Sequence, residues 1–431
     1  MKFRSILGES LSVTFREALF NGLAPDGSLY VPESFPRLAD HPSLHGTDLS
    51  AVASHVLSAF IDDLTETELR RISRHAFTFP IPLIKLEENL FLLELFHGPT
   101  LAFKDVGARF MALALSHFLE HEQKDLTIAV ATSGDTGSAV AHGFFNVPHI
   151  SVFVLYPSGK ISRLQEQQMT TLGGNIHAVE VDGTFDDCQH LVKLALADRD
   201  LVRARNLTTA NSINLGRLLP QVMYYVWATQ LLRQNFALTN PIVAVPSGNF
   251  GNLTAAAYAR QIGAPIASLI SASNANEVVP EFFRTGLFRP RPSLQTYSNA
   301  MDVGNPSNFA RLQMLYHNSL EEMQRNIAAA SISDAETLRE MQLSYQRSGT
   351  ILDPHTAVGV AGVRKMRPSG SPAIPTIVVA TAHPAKFPEV VAKALNTTIS
   401  LPPQLEETLQ RPKQSVRIEA DYRRVRELLL T

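Results

Sequence analysis

The chain has 431 residues, 45% hydrophobic and 18% charged; this is too long for one ordinary domain, supplies ample apolar material for a core, and excludes a disordered or fibrous chain. Its 38 lysines and arginines against 40 aspartates and glutamates leave a net charge of −2, so no global basic field points to nucleic acid or anionic lipid, and a small-molecule partner is expected. No stretch approaches the roughly 18 apolar residues of a membrane span, Glu9 and Ser10 interrupt a secretory signal, and the single Cys188 rules out an intrachain disulfide; a cytoplasmic protein is the expectation.

Residues 1–90 mix helical periodicity with turns and read as a mainly helical N-terminal domain. The clearest turn there is Ala24-Pro25-Asp26-Gly27, and residues 47–76 read as two helices, the second opened by the capping-box pattern Thr65-x-x-Glu68. Residues 91–95 read as a short buried strand that His97-Gly98-Pro99-Thr100 breaks, and Lys104 stands at the start of an apolar-periodic helix over 106–118. Strand, turn and helix then alternate, with strands over 127–131, 151–156 and 176–181 and helices near 136–145, 162–172 and 184–198. This alternation implies a mainly parallel sheet covered by helices. Residues 91–215 therefore read as a smaller α/β domain and residues 216–431 as a larger one. A long helix over 215–232 holds the only Trp; strands follow at 242–245 and 266–272, a helical insertion over about 306–366, and a last strand over 376–380. Residues 400–414, rich in Leu, Pro and Glu, read as a surface connection.

Three features of this pattern bear on chemistry. Lys104 has no counter-charge among Leu101, Ala102 and Phe103, so held among them it is desolvated and its pKa pushed down, as an amine that forms a Schiff base requires. The plainer alternative is a lysine that snorkels from the first helical turn beside Asp105. Next, Thr132-Ser133-Gly134-Asp135-Thr136-Gly137 and Pro246-Ser247-Gly248-Asn249-Phe250-Gly251-Asn252 each follow a buried strand and open a helix. Such a turn gathers backbone N–H groups and the positive end of a helix dipole at one point, a ready anion site; the alternative is that any strand-to-helix turn in such a sheet looks alike. Third, Gly159-Lys160-Ile161-Ser162-Arg163 and Asn211-Ser212-Ile213-Asn214-x-x-Arg217 bring cations and amide donors into the same half, though taken alone Lys160 and Arg217 read as solvated helix-terminus charges. No H-E-x-x-H, P-loop or G-x-G-x-x-G is present, and the 14 histidines are scattered, so no metal is expected.

The spelling His97-Gly98-Pro99-Thr100-x-x-Phe103-Lys104-Asp105 resembles the pyridoxal-phosphate attachment sequence of the threonine synthase family. Residues 14–27, both glycine turns, Asp353-Pro354-His355-Thr356-Ala357 and Thr381-Ala382-His383-Pro384-Ala385-Lys386-Phe387 resemble further motifs of that family, in order, over residues 14 to about 388. The resemblance implies the α/β architecture of pyridoxal-phosphate fold type II (tryptophan synthase β-like): parallel-rich twisted sheets with helices on both faces, plus an N-terminal mainly helical domain. It implies pyridoxal 5′-phosphate on Lys104, with its phosphate in the turn of Gly248, Asn249, Phe250, Gly251 and Asn252 and with Thr381 at the pyridine nitrogen. A hydroxyl there, unlike a carboxylate, does not force that nitrogen to stay protonated, which favours elimination and replacement over transamination.

For the substrate, the same resemblance implies Ser133, Gly134 and Thr136 at its carboxylate and Lys160, Asn211 and Arg217 at the active site, the last two helping to bind its phosphate. Asp135, beside the cofactor, faces other anions and so is expected to point elsewhere or to be paired. The implied reaction takes O-phospho-L-homoserine and water to L-threonine and phosphate, in a cytoplasmic monomer or homodimer without nucleic-acid or membrane partners. Two alternatives keep the cofactor and change the rest: a serine or threonine dehydratase or cysteine-synthase-like enzyme, and a non-catalytic pyridoxal-phosphate-binding homologue.

Overall fold

In the central strands alternate residues point to opposite faces, and both faces are buried. Ile128, Val130, Val152 and Val154 enter one apolar cluster, while Ala129, Ala131, Phe153 and Leu155 enter another behind them. Both faces must then be covered by helices, the condition under which parallel sheet occurs. The structure is a computed structural model that describes residues 1–38, 44, 46, 48–120, 124–367 and 373–431, and it contains two such sheets. The larger runs, in spatial order, Ile327–Ser331, Ser268–Ser273, Ile242–Pro246, Thr376–Ala380, Leu90–Glu94 and Leu83–Glu87, with only the last pair antiparallel. The smaller runs Val416–Glu419, Ile176–Asp182, Ile150–Pro157, Leu126–Ala131 and Leu207–Thr208, all parallel.

The N-terminal part holds the helices Phe15–Asn21, Leu49–Ser58 and Glu66–Ala76 beside a two-stranded ladder of Phe3–Ser5 and Tyr30–Pro32. Thr65 caps the third helix as its spelling predicts: its hydroxyl accepts from the Glu68 amide, and the Glu68 carboxylate accepts from the Thr65 amide at 2.8 Å. This part also buttresses the region that follows the smaller sheet. Asn214 Nδ2 donates to Leu19 O at 2.9 Å, and the wholly buried Arg311 donates to Tyr30 O at 3.0 Å and to Ile213 O at 2.7 Å.

Several expectations from sequence need correction. The sheets exchange chain across the divisions expected at 90 and 215: Leu90–Glu94 lies in the larger sheet, and Val416–Glu419 crosses back to the smaller, where the helix Tyr422–Leu430 adds Val425 and Leu429 to the core. The helix expected over 215–232 is three pieces, Leu215–Leu218, a 3₁₀ turn Leu219–Gln221 and Val222–Phe236, because Pro220 has no N–H with which to continue the first ladder. Within 306–366, Ile327–Ser331 is the edge strand of the larger sheet; its three alanines favour helix locally, and parallel pairing with Ser268–Ser273 overrides them. Residues 400–414 contain the helix Pro403–Gln410, opened by a proline in its first turn and anchored by the buried Leu405. Among the described residues, no helix is long and apolar enough to cross a membrane.

Candidate active site

Leu90–Glu94 and Thr376–Ala380 are neighbouring parallel strands, so the chain leaves both at the same end of the sheet. There the two following loops are tied together: Phe103 N donates to Thr381 O at 2.9 Å and His383 N to Leu101 O at 3.0 Å. Asp105 fastens the first loop by accepting from the Thr100 amide at 2.9 Å and from its hydroxyl at 2.6 Å; burial nevertheless pushes this carboxyl up to about 6. The Tyr224 hydroxyl donates to Phe103 O at 2.6 Å. Lys104 therefore opens the helix Lys104–Leu119 from a fixed position at the wall of a cavity. Among the described residues its amine donates no hydrogen bond and forms no ion pair with Asp105; burial pushes its pKa down to about 8, with Asp135 opposing the shift and Arg217 and Lys386 adding to it.

The cavity opens to solvent at the junction of the two sheets. Its wall includes Ser133, Asp135, Thr136, Asn211, Arg217, Gly248, Asn249, Phe250, Gly251, Asn252 and Thr381 together with Lys104. These residues follow the carboxyl ends of strands from both sheets, where open α/β sheets bind ligands. In the turn after Ile242–Pro246, the amides of residues 248–252 have no acceptor among the described residues, and the Asn252 Nδ2 is buried without a partner. Asn249 is held by donating to Ser212 Oγ at 2.6 Å and accepting from Ser307 N at 2.7 Å. A Cβ on Gly248 would lie 2.6 Å from Met301 Cα, so only glycine lets the backbone lie this close.

The turn after Leu126–Ala131 is built differently. Thr132 Oγ1 accepts from Gly134 N at 2.9 Å and from Gly137 N at 2.7 Å, which satisfies two of its amides internally. Gly134, with φ of +131°, packs against the Gln165 amide and is not part of the cavity wall that its neighbours Ser133, Asp135 and Thr136 line. Lys160 also lies outside the wall: it is exposed in the turn beyond Ile150–Pro157, where its charge is felt by Asp187. Asn211 is in the wall, but its side chain pairs with Ala131, accepting from the amide at 3.1 Å and donating to the carbonyl at 2.7 Å.

Charge in the site is unevenly balanced. Asp135 is paired, as expected, and its partner is Lys386 at 2.6 Å, a residue the motif reading quoted without a role. Burial alone would raise this carboxyl; Lys386, then Lys104, then His355 outweigh it and hold Asp135 well below the usual range. Arg217 is 2% exposed; it donates to Ala210 O at 2.5 Å, its Nε has no partner, and burial lowers its pKa to about 10. Among the described residues no carboxylate pairs with it. The wall also holds Ser212, Gln221 and His355, which sequence reasoning left unassigned. His355 accepts from Ala300 N at Nε2 and so faces Asp353 with a protonated Nδ1, at 2.8 Å; the Asp-x-His spacing was the available signal.

Residues 66–382 match the family described as pyridoxal-phosphate dependent enzyme, residues 2–77 that described as threonine synthase N terminus, and residues 356–429 threonine synthase, C-terminal. Threonine synthase of Escherichia coli strain K12 is 40% identical over 433 residues, covering 100% of this chain and 99% of that relative. The chain belongs to the threonine synthase family. Threonine synthase of Haemophilus influenzae is 42% identical, with 97% of each chain covered. Among solved structures, the E. coli threonine synthase superposes with a TM-score of 0.93 at 40% identity, covering 100% of this chain and 99% of that one. The pyridoxal-phosphate-bound threonine synthase of Brucella melitensis gives 0.92 at 35% identity, with 100% and 99% covered.

Proposed function

We propose that this chain converts O-phospho-L-homoserine and water to L-threonine and phosphate, using the residues gathered around Lys104. The observation that carries this reading is the combination, in one cavity, of an unpaired lysine amine with depressed pKa, a turn of free amides and a buried arginine that no carboxylate pairs with directly among the described residues. The family is pyridoxal-phosphate dependent, and the residues present fit that cofactor. Lys104 would hold it; the amides of Gly248, Asn249, Phe250, Gly251 and Asn252, with the orphaned Asn252 Nδ2, would receive its phosphate; and the Thr381 hydroxyl, which has no protein partner among the described residues, would be the group for its ring nitrogen. Asp135 lines the same wall.

Pyridoxal phosphate, when bound, supplies the electron sink that lets a carbon-bound proton leave the substrate. With a pKa of about 8, Lys104 is unprotonated in a useful fraction near neutral pH; it takes the proton at the substrate Cα and then one at Cβ, which lets the Cγ–O bond break, and protons return to Cγ and, last, to Cα. Ser133 and Thr136 face the substrate carboxylate. Arg217 receives the substrate phosphate through its open Nε, a role that suits a fork of parallel donors. As the carbon–oxygen bond breaks, charge gathers on the departing phosphate and that contact strengthens, which is where binding lowers the barrier. Water then adds at Cβ, so that phosphate leaves and a hydroxyl replaces it one carbon away.

The uncompensated Arg217 also separates this reading from a serine or threonine dehydratase, whose substrates carry no phosphate. We place the enzyme in the cytoplasm as a monomer or homodimer, in keeping with its single free, buried Cys188. The test is to incubate the purified chain with pyridoxal phosphate and O-phospho-L-homoserine and follow both products. Equal release of phosphate and threonine is expected; phosphate accompanied by a keto acid instead contradicts water addition.

A further inference from the structure

Lys386 ends the 3₁₀ turn Pro384–Lys386 and is 0% exposed. Its ammonium donates to Asp135 Oδ1 at 2.6 Å and to Thr100 O at 2.9 Å, and Gln165 Nε2 donates to the same Oδ1 at 3.0 Å. Gln168 Nε2 reaches the same Thr100 carbonyl at 3.2 Å. Four parts of the chain converge there: the loop that leads into Lys104, the helix Asp135–Phe144, the helix Arg163–Thr170 and the turn that follows Thr381. None of the steps above uses Lys386. The charged groups that face Lys104 from the elements packed on it are Asp135, Arg217 and Lys386. Asp135 is the one anion in that set, and a buried carboxylate requires a cation or strong donors.

We propose that Lys386 is a positioning residue for the reactive amine: by engaging Asp135 it keeps that carboxylate from pairing with Lys104, and it fastens the loops on either side of the cofactor site to one anchor. The inference rests on Lys104 being the cofactor lysine. An amine locked in an ion pair is both protonated and misdirected, and so is a poor nucleophile and a poor base. With Lys386 neutralised, Asp135 turns its charge on Lys104, and the amine holds its proton to higher pH.

The test uses Lys386→Met in the full-length chain, with two readouts that need no substrate. One is the pH midpoint of the cofactor's visible absorption in the loaded protein. The other is the pH midpoint for acylation of Lys104 in the cofactor-free protein, read by peptide mass spectrometry. Both are expected to rise by about one to two pH units, the effect of an opposite charge at close range. In D135N/K386M, which removes both charges, they return to within about half a unit of the wild type. Unchanged midpoints in the folded single variant overturn the proposal, and so does a rise that persists in the double variant. Should Lys386→Met not fold, Lys386→Gln, which keeps a donor for Thr100 O, is read by the same criteria. Because no turnover is measured, failure here is distinct from failure of the proposed reaction.

Discussion

The two glycine turns share a spelling and a place, after a strand and before a helix, yet they are wired in opposite ways. In the turn at 247–252, the residue before Ser-Gly is Pro246, which offers no side-chain acceptor, and the Ser247 hydroxyl donates to Val245 O at 2.9 Å; the amides that follow stay free. In the turn at 133–137 the equivalent residue is Thr132, whose oxygen captures the amides of Gly134 and Gly137, while the one carboxylate is paired with Lys386. A strand followed by Ser-Gly-x-x-Gly thus presents fewer free amides where the preceding side chain captures some of them.

On the proposed reading the cofactor phosphate leans on the backbone amides of residues 248–252, while the substrate phosphate leans on the Arg217 side chain. Arg217→Ala should therefore lower kcat/KM for O-phospho-L-homoserine by roughly 30-fold or more, the loss of about 2 kcal/mol or more expected when a buried charged partner is removed. Cofactor affinity, measured by equilibrium dialysis, should stay within about twofold. Gly248→Ala should do the reverse, since the added methyl meets the Met301 backbone. Overpacking of about 1–3 kcal/mol corresponds to cofactor binding weakened by roughly 5- to 150-fold. Thr132→Val keeps the shape but strands two amides; urea unfolding should register a destabilisation of about 1–3 kcal/mol, with cofactor affinity nearly unchanged.

The smallest expected effect is of pH. Because the folded state depresses Asp135 below its ordinary value of 3.8, its contribution to stability is complete above that value and is lost as pH falls beneath it. Asp105, raised to about 6, has the opposite sign, its contribution lost as pH rises from 3.8 to about 6. Hydrogen exchange at pH 3 should therefore loosen residues 133–137 before residues 247–252, which contain no titrating group.

Much of this was legible in the sequence. Alternating strands and helices indicated the sheet class, and the apolar neighbours of Lys104 anticipated the buried amine that the structure places at the cavity wall. What escaped depended on segments far apart in the chain. Lys386 has no role in the sequence until the fold closes Thr100 and Asp135 over it. Gly134 reads as cup-forming until Thr132 takes its amide, and Lys160 reads as an active-site cation although its turn extends into solvent. The strand Ile327–Ser331 was hidden by alanines whose helix preference yields to pairing at a sheet edge.

A crystal structure of the full-length chain loaded with pyridoxal phosphate tests the central assignment most directly. The cofactor phosphate should sit on the amides of residues 248–252, with its aldehyde carbon joined to Lys104 and Asp135 still held by Lys386. A phosphate seated on residues 133–136, or a cofactor attached to any other lysine, would contradict it.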